Sequence, residues 1–440
     1  MIETKSNIKV SALGLFEELK KEKKKLIASK TILDKKDNHK YPIADIPFEI
    51  PPHWVWCYLS DISLIQEGPG IRKHQYATSG VQFLTVTNIL EGSVDLEKSK
   101  KYISKEQYKN YSHFTINKGD IVTACSGGSW GKSAIYELDE KLILNTSTLR
   151  LRFYNDLGEN YYLYYLTKTS YFKDSLSKYI TGQQPNYGYS HYSKIPIPLP
   201  PLPEQQRIVS ILDEAFAAIA KAKANAEKNL QNAKELFESY LQSVFENGNK
   251  NWETKTLGEI GNPKMCKRIL KHQTSTTGEI PFYKIGTFGK TPDAFISKEI
   301  YDEFRTKYSF PKKGDILISA SGTIGRRVRY DGEPAFFQDS NIVWIDNDEK
   351  HVLNDYLYVF YEFCDWQPSK GATISRLYNS NLTSIKIVFP KSLEEQKNIL
   401  KKIDAVSTET QKLEAVYHKK LEDLEELKKS VLQKAFNGEL

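Results

Sequence analysis

Apolar residues recur at alternating steps of three and four along residues 201–248 and 391–440, the spacing of an amphipathic helix with one buried stripe. The predicted stripe of the first stretch runs through Leu212, Ile219, Ala226, Ala233 and Tyr240. That of the second runs through Ile403, Leu413, Tyr417, Leu424 and Val431. Small residues on one helix face large ones on the other, so we expect the two helices to pair with each other in a coiled-coil seam.

The chain before each helix has a different pattern. Short β-branched and aromatic runs such as FLTVTNI, DIVTA, LRLRF, DILISA and FQDSNIVWI alternate with Gly, Asn and Pro, which predicts strands joined by turns. Helical pieces are expected at 159–179 and 352–363. We therefore predict an α+β fold in a first lobe, residues 46–200, and in a second lobe, residues 249–390. Residues 1–45 are predicted to form an N-terminal helical segment.

The two halves of the chain are copies of one unit. HWVWCYLSDIS (53–63) aligns with NWETKTLGEIG (251–261), and KGDIVTACSGG (118–128) aligns with KGDILISASGT (313–323). From Glu204 the match continues to Phe245 at a constant offset of 191, without a gap. Loops tolerate insertions and packed helices do not, so the helices look length-restricted. At ~1.5 Å per residue they form a rod of ~63 Å. Tandem copies of this kind predict a pseudo-twofold axis and antiparallel helices.

The expected helix boundaries carry their own signals. Ser392 followed by Glu395 has the spacing of a capping box, and Gly248 and Gly438 lie near the C-terminal ends. A proline-rich approach, residues 196–203, makes the entry to the first helix stiff and extended.

Composition narrows the class of partner. The 440 residues carry a net charge of +7, and the helical stretches contribute none of this surplus: residues 201–248 hold 5 basic and 7 acidic groups, and residues 391–440 hold 10 of each. Basic lobes are expected in a protein that binds a polyanion, and they are equally common in an ordinary, slightly basic protein.

The four cysteines are scattered, with no CxxC and no histidine pair at metal-ligand spacing, which favours reduced thiols in a cytoplasmic protein over a zinc site. No apolar run predicts a signal peptide or a membrane span.

GDIVTACSGGSWGKS, residues 119–133, looks like a phosphate-binding loop but misses the pattern. A P-loop needs a glycine five residues before its Gly-Lys pair, and that position is Ser126. The stretch recurs as GDILISASGTIGRRV, residues 314–328, and one chain rarely needs two nucleotide loops. We expect Lys132 and Arg326 to meet the phosphates of a polyanion rather than those of a nucleotide. The alternative, that Gly127, Gly131, Gly322 and Gly325 only turn a strand, fits about as well.

Together these motifs resemble one family, the specificity subunits of type I restriction–modification enzymes. The resemblance rests on IPFEIPPHWVW (46–56), the doubled GDI…SG…G loop, the Gly-Gln segment at 182–184 (degenerate at Gly371) and the doubled Leu-x-Glu-Gln entry to a long helix. It covers nearly the whole chain. It implies one target recognition domain per lobe, reading half of a split, asymmetric site on double-stranded DNA, with the helices as a ruler that also docks two methyltransferase subunits.

The same resemblance implies that this chain is not catalytic. Restriction (translocase) subunits would join the complex, and S-adenosylmethionine, ATP and magnesium would be bound by the partner subunits. The sequence is consistent with this, since it has no NPPY, DPPF, P-loop or HExxH motif. In the family, the N-terminal stretch packs near the C-terminal helix.

Base reading calls for Arg, Lys, Asn, Gln, Ser and Thr on loops, with basic neighbours on phosphates. Three groups per lobe fit that description, although any one member equally suits a solvated surface. The candidates of the first lobe are Arg72, Lys73, Gln75, Ser126, Ser129, Lys132, Gln183, Gln184, Asn186 and Tyr187. Those of the second lobe are Lys267, Arg268, Lys271, Ser321, Thr323, Arg326, Arg327, Thr373, Ser375 and Arg376. The lobes differ at most of these positions, so the half-sites should differ in sequence.

Two other functions compete with DNA recognition by a non-catalytic subunit. One is a self-contained DNA methyltransferase or nuclease, and the other is a coiled-coil scaffold without a DNA role. The target sequence itself depends on loop geometry that the sequence does not fix.

Overall fold

The computed structural model describes residues 11–37, 39–179, 185–246, 251–370 and 375–440, with the backbone alone for Glu246, Lys370 and Ser375. The described chain forms two compact units. The first contains the residues up to Asn225 together with Lys420–Leu440, and the second contains Ala226–Lys419. The division falls inside both long helices, so each unit consists of one lobe and a part of each helix.

The first unit is built on short strands and helices. Its elements before the long helix are α1 (Ala12–Ala28), β1 (Val55–Tyr58), α2 (Leu59–Ile62), β2 (Ser63–Glu67), β3 (Val81–Phe83), β4 (Tyr102–Ile103), α3 (Lys105–Tyr111), β5 (Thr115–Ile116), β6 (Ile121–Ala124), β7 (Ser133–Ile135), β8 (Leu142–Ile143), β9 (Thr148–Phe153), α4 (Asn160–Lys168), α5 (Ser170–Ser177), α6 (Tyr189–Tyr192) and β10 (Pro196–Leu199). They form an antiparallel sheet β2-β9-β6-β7, a mixed sheet β4-β3-β8-β5 and a β1-β10 ladder.

The second unit repeats this plan. After the first long helix, α7 (Leu202–Glu246), come β11 (Trp252–Thr256), α8 (Leu257–Ile260), β12 (Gly261–Lys264), β13 (Ile280–Tyr283), β14 (Phe295–Ile296), α9 (Lys298–Lys307), β15 (Ile316–Ser319), β16 (Arg327–Arg329), β17 (Phe336–Phe337), β18 (Ile342–Asn347), α10 (Asn354–Phe360), β19 (Ser369–Lys370), β20 (Ser375–Arg376), α11 (Asn379–Ser384), β21 (Lys386–Pro390) and α12 (Leu393–Asn437). Sheets β12-β18-β15-β16 and β14-β13-β17 and the β11-β21 ladder match those of the first unit. The predicted α+β class and the duplication are confirmed.

The two long helices run antiparallel within the first unit. Arg207 donates to the carbonyl of Leu440 at 2.7 Å, and Lys223 pairs with Glu425 at 2.6 Å, so later positions on α7 meet earlier positions on α12. Within the second unit, Phe245 at the end of α7 shares a core with Ile403 near the start of α12. Both arrangements agree with the predicted antiparallel coiled coil.

The seven-residue period of the seam is present, but its second position differs from the prediction. Leu212, Ile219, Ala226, Ala233 and Ile403 are buried, and Tyr240, Tyr417, Leu424 and Val431 are half-buried. Leu413 is 45% exposed, and its neighbour Glu414 lies nearer the inner face. On α7, Leu236 is likewise 67% exposed, whereas Phe237 packs on the core. From each buried position of the seven-residue period, the next inward residue therefore lies four positions further along the helix, and the following one three positions beyond that. The prediction had these two steps in the opposite order.

A buried glutamine joins each long helix to its own lobe. Gln205 donates to the carbonyl of Pro200 at 2.9 Å and accepts from the amide of Glu159 at 2.9 Å. Gln396 repeats this hook, accepting from the amide of Leu353 and donating to the carbonyl of Pro390. The expected capping box at Ser392 is half formed, because Glu395 accepts from the indole of Trp252 instead.

The N-terminal helix α1 belongs to the core of the first unit. Leu15, Phe16 and Leu19 share one buried cluster with Leu432 and Phe436 of α12, which agrees with the place that the resemblance implied. Across the described ranges, no helix is both long and apolar enough to cross a membrane.

Candidate nucleic-acid interface

The two GDI…SG…G stretches are the hairpin loops between β6 and β7 and between β15 and β16. Gly127 and Gly131 adopt φ of 64° and 78°, and Gly322 and Gly325 adopt 67° and 83°. Only glycine visits this region readily, so all four residues are needed to turn the loop. The backbone closes on itself rather than opening a cradle, since Gly131 donates to the carbonyl of Ala124 at 2.9 Å.

Each loop is paired with the segment that precedes the last strand of its lobe. Ser126 forms an isolated bridge with Asn186, and the amide of Tyr187 donates to the carbonyl of Cys125 at 2.9 Å. Ser321 and Arg376 form the same bridge in the second lobe. Two of the three predicted groups are thus brought together in both lobes. Gln183, Gln184 and Thr373 lie outside the described residues, and Ser375 is described by its backbone alone.

A polar turn before the last strand of the main sheet links the third group to the other two. In the second lobe this turn is 338–341. Asp339 accepts from Arg268 at 2.9 Å, the carbonyl of Ser340 accepts from Arg376 at 2.9 Å, and Asn341 accepts from Ser321 at 2.8 Å. The corresponding turn of the first lobe, 145–148, accepts from the amides of Gly68 and Cys125. Sequence reasoning missed both turns, whose signal was the polar runs NTST and QDSN.

The third group forms a short 3-10 turn in each lobe. Lys73–Gln75 and Lys271–Gln273 share the sequence KHQ, and in both the glutamine side chain accepts the amide that opens the turn, at 2.8 Å and 2.9 Å. The repeated tripeptide was visible in the sequence, and Gln273 was missed. The lysine that begins each turn is exposed.

The candidate cations divide into paired and unpaired groups. Arg326 donates to the carbonyl of Phe288 at 3.0 Å, and Arg327 pairs with Glu362 at 2.7 Å. The Lys267 ammonium lies 4.6 Å from the ring centre of Tyr308. The side chains of four cations have no hydrogen bond, ion pair or ring contact with any residue that the structure describes: Arg72, Lys73, Lys132 and Lys271. Arg326, which was expected on a phosphate, and its neighbour Arg327 instead bond within their own lobe.

The remaining polar candidates stabilise the loops. The carbonyl of Ser129 accepts from the amide of Lys132 at 3.2 Å, and the carbonyl of Thr323 accepts from the hydroxyl of Ser319. Both residues thereby fix the loop's curvature through their backbone.

Aromatic rings surround the loop of the first lobe. Trp130 lies 5.2 Å from Tyr187, which in turn lies 5.8 Å from His191, measured between ring centres. Burial raises the pKa of Tyr187, and burial also raises the pKa of the Cys125 thiol to about 12. The thiol is therefore protonated at neutral pH and is a poor nucleophile. In the part of the chain that the structure describes, no group of three or more His, Cys, Asp or Glu side chains is arranged to hold a metal ion.

Two tandem domains of one plan, each presenting the same loop and joined to paired helices, define a class of internally duplicated two-lobed protein. The model of the type I restriction modification DNA specificity domain matches residues 51–229 and 249–423. The chain belongs to this family, which confirms the resemblance seen in the motifs.

Its relatives carry specificity-subunit names. A Haemophilus influenzae protein named as a type I restriction enzyme specificity subunit is 51% identical over 221 residues, 49% of this chain and 57% of its own length. The StySPI specificity subunit of Salmonella potsdam is 24% identical over 429 residues, covering 89% of this chain and 90% of its own length. The chain thus spans little more than half of the first relative and most of the second.

The fold is shared with solved structures. The HsdS subunit from Thermoanaerobacter tengcongensis matches over 90% of this chain and 99% of that chain, with a TM-score of 0.62 and 20% identity. A structure described as concerning complex assembly and conformational transition of the type I restriction–modification system matches over 90% and 100%, with a TM-score of 0.69 and 20% identity.

Proposed function

We propose that each lobe reads one half of a split, asymmetric site on double-stranded DNA, while the paired helices set the length of the unread gap. The observation that supports this is the repetition of one constellation, loop, paired segment and polar turn, in both lobes. A backbone arrangement kept twice with different side chains is what two readers of different sequences require.

The two lobes carry different side chains at the position that bridges to the loop. Asn186 and Arg376 occupy equivalent places beside Ser126 and Ser321. Asparagine prefers the hydrogen-bonding edge of adenine and arginine that of guanine, so the two half-sites should differ. Methylome sequencing of a host that carries this chain and its partner subunits tests this directly, since one symmetric or undivided motif would contradict the proposal.

Phosphate contacts are assigned to the four cations whose side chains have no partner among the described residues. Lys132→Ala should weaken binding of all duplexes to a similar degree and lower the slope of log affinity against log salt by about 1. Lys118, which pairs with Asp139 at 3.3 Å, offers a matched control whose replacement should leave that slope unchanged. An affinity independent of salt would favour a scaffold without a DNA role.

The partner subunits belong to the same proposal. Two methyltransferase subunits would dock on the long helices, supplying S-adenosylmethionine chemistry, and restriction subunits would supply ATP- and magnesium-dependent steps in the cytoplasm. Leu236, Leu413 and Val416 of the second unit are 67%, 45% and 59% exposed, which supports a further apolar contact there. Methylation of DNA by the purified chain without added subunits would contradict a non-catalytic role.

A further inference from the structure

The recognition segment of the first lobe is held by a part of the chain that precedes the lobe. Tyr189 follows the residues that bridge to the loop and opens α6. Its hydroxyl donates to Asp37 at 2.5 Å, and the Lys35 ammonium lies 3.8 Å from its ring centre. Both partners lie in the N-terminal segment, before residue 46.

Glu67 completes the contact from the sheet side. Its carboxylate accepts the backbone amide of Tyr189 and lies against Gly188, where a Cβ would collide with it. Burial lowers the pKa of Lys35, and the charges of Glu67 and Asp37 oppose that shift. The geometric contact of Lys35 is with the aromatic face of Tyr189, and the two carboxylates act on the lysine through their charge.

The N-terminal segment is itself anchored on both sides of this contact. Lys23 pairs with Asp37 at 3.4 Å and with Asp61 at 3.5 Å. Further along, His39 hydrogen-bonds Ser60 at 2.9 Å. Because the segment around Asp37 is fixed by these contacts, Asp37 can hold the side chain of Tyr189 in one position.

Among the residues that the structure describes, the second lobe shows no equivalent contact. Ladder register places Met265 where the first lobe has Glu67, and the bridge register places Asn379 where it has Tyr189. Neither of these two side chains carries a charge or a phenol. In the described residues, both lobes therefore have the bridge, whereas the contact of the N-terminal segment and Glu67 with Tyr189, which we call the clamp, is found in the first lobe.

We propose that Lys35, Asp37 and Glu67 are positioning residues for the first lobe's recognition segment, so that reading of the first half-site, and not of the second, depends on the N-terminal segment. The inference rests on the proposed function. If the clamp is lost, a smaller fraction of the molecules holds the conformation that reads the first half-site. The apparent affinity for DNA then falls in proportion to that fraction.

The test uses the full chain with its methyltransferase subunits and three duplexes: the site found by methylome sequencing, and that site with either half scrambled. Asp37→Ala and Tyr189→Phe should each weaken binding of the intact site about 3- to 10-fold, the range of one hydrogen bond. The penalty for scrambling the first half should shrink by the same factor, and the penalty for scrambling the second half should stay unchanged. Lys35→Arg should retain binding, and Asn379→Ala is the matched control that leaves the first-half penalty intact.

Equal losses at both halves, or none at either, would overturn the inference. Hydrogen exchange of residues 187–192 in the same variants provides a readout that needs no DNA, and it should rise in Asp37→Ala. Unchanged exchange would also overturn the inference. If the wild-type complex shows no half-site penalty at all, the proposed function fails, and exchange still decides whether the clamp exists.

Discussion

Asp120 is the residue whose replacement best tests how the first lobe is stabilised. Its carboxylate is fully buried and contacts Arg150 at 3.1 Å and Arg152 at 3.3 Å. Arg150 is 8% exposed, and burial lowers its pKa while the Asp120 charge opposes that shift. Asp120→Asn keeps the acceptor for the amide of Asn117 but removes the charge, leaving a buried guanidinium uncompensated.

Asp120→Asn should lower the free energy of unfolding of the first lobe by about 3 kcal/mol. This is the lower end of the 3–5 kcal/mol lost when one partner of a buried ion pair is removed. The lower end applies because Arg152 retains Asp156 at 2.8 Å, and Arg150 retains backbone carbonyl acceptors. Against a typical domain stability of 5–15 kcal/mol, that loss is large.

The repeat supplies the control. Asp315 occupies the same place in the second lobe and accepts from the amide of Lys312 at 2.7 Å. The register position that holds Arg150 in the first lobe holds Trp344 in the second. Burial raises the pKa of Asp315. A carboxyl with a raised folded-state pKa favours folding at low pH, and that contribution is lost as the pH rises through the folded pKa. At neutral pH, Asp315→Asn should therefore cost less than about 1 kcal/mol.

The assay is hydrogen exchange in increasing urea, read on peptides from β6 and β9 and from β15 and β18. Local stability is needed because a chain with two units has no single unfolding transition. Asp120→Asn/Arg150→Met should recover most of the loss, since apolar replacement of a buried pair is often neutral. Equal effects of Asp120→Asn and Asp315→Asn, or no recovery in the double variant, would refute the reasoning.

Three further outcomes are expected. Deleting seven residues within 212–240 should keep both half-site sequences and shorten or abolish the tolerated gap, and an unchanged gap in the methylome would count against the ruler. Arg326→Ala should weaken binding through the second half-site only, and equal loss with duplexes altered in either half would argue against that assignment. Gln205→Leu should destabilise the first unit by about 1–3 kcal/mol, because two backbone groups lose their hydrogen-bond partner. Gln396→Leu should destabilise the second unit at least as much, because three backbone groups lose theirs, and urea-dependent exchange would report both losses.

The sequence was informative where packing restricts the chain. The constant offset of 191 through both helices marked the duplicated helices, because an insertion there would shift every later side chain to another face. The same period could not decide whether Leu413 or Glu414 faces inward, since steps of three and four, or four and three, both sum to seven. Leucine was the natural choice on hydrophobicity, and the structure places it outward.

Contacts between segments far apart in the sequence could not be predicted, because no local pattern of residues records them. The KGD motif was recognised twice, and in the first lobe its aspartate, Asp120, pairs with Arg150. Strand register alone reveals that the second lobe has Trp344 at the position of Arg150. Tyr189 and Asp37 lie 152 positions apart, so no local pattern joins them. In both cases the backbone plan is common to the lobes and the stabilising side chains are not. A duplicated domain can diverge in this way because the loops and bridges keep the backbone plan of both lobes, while the supporting groups are free to change one lobe at a time.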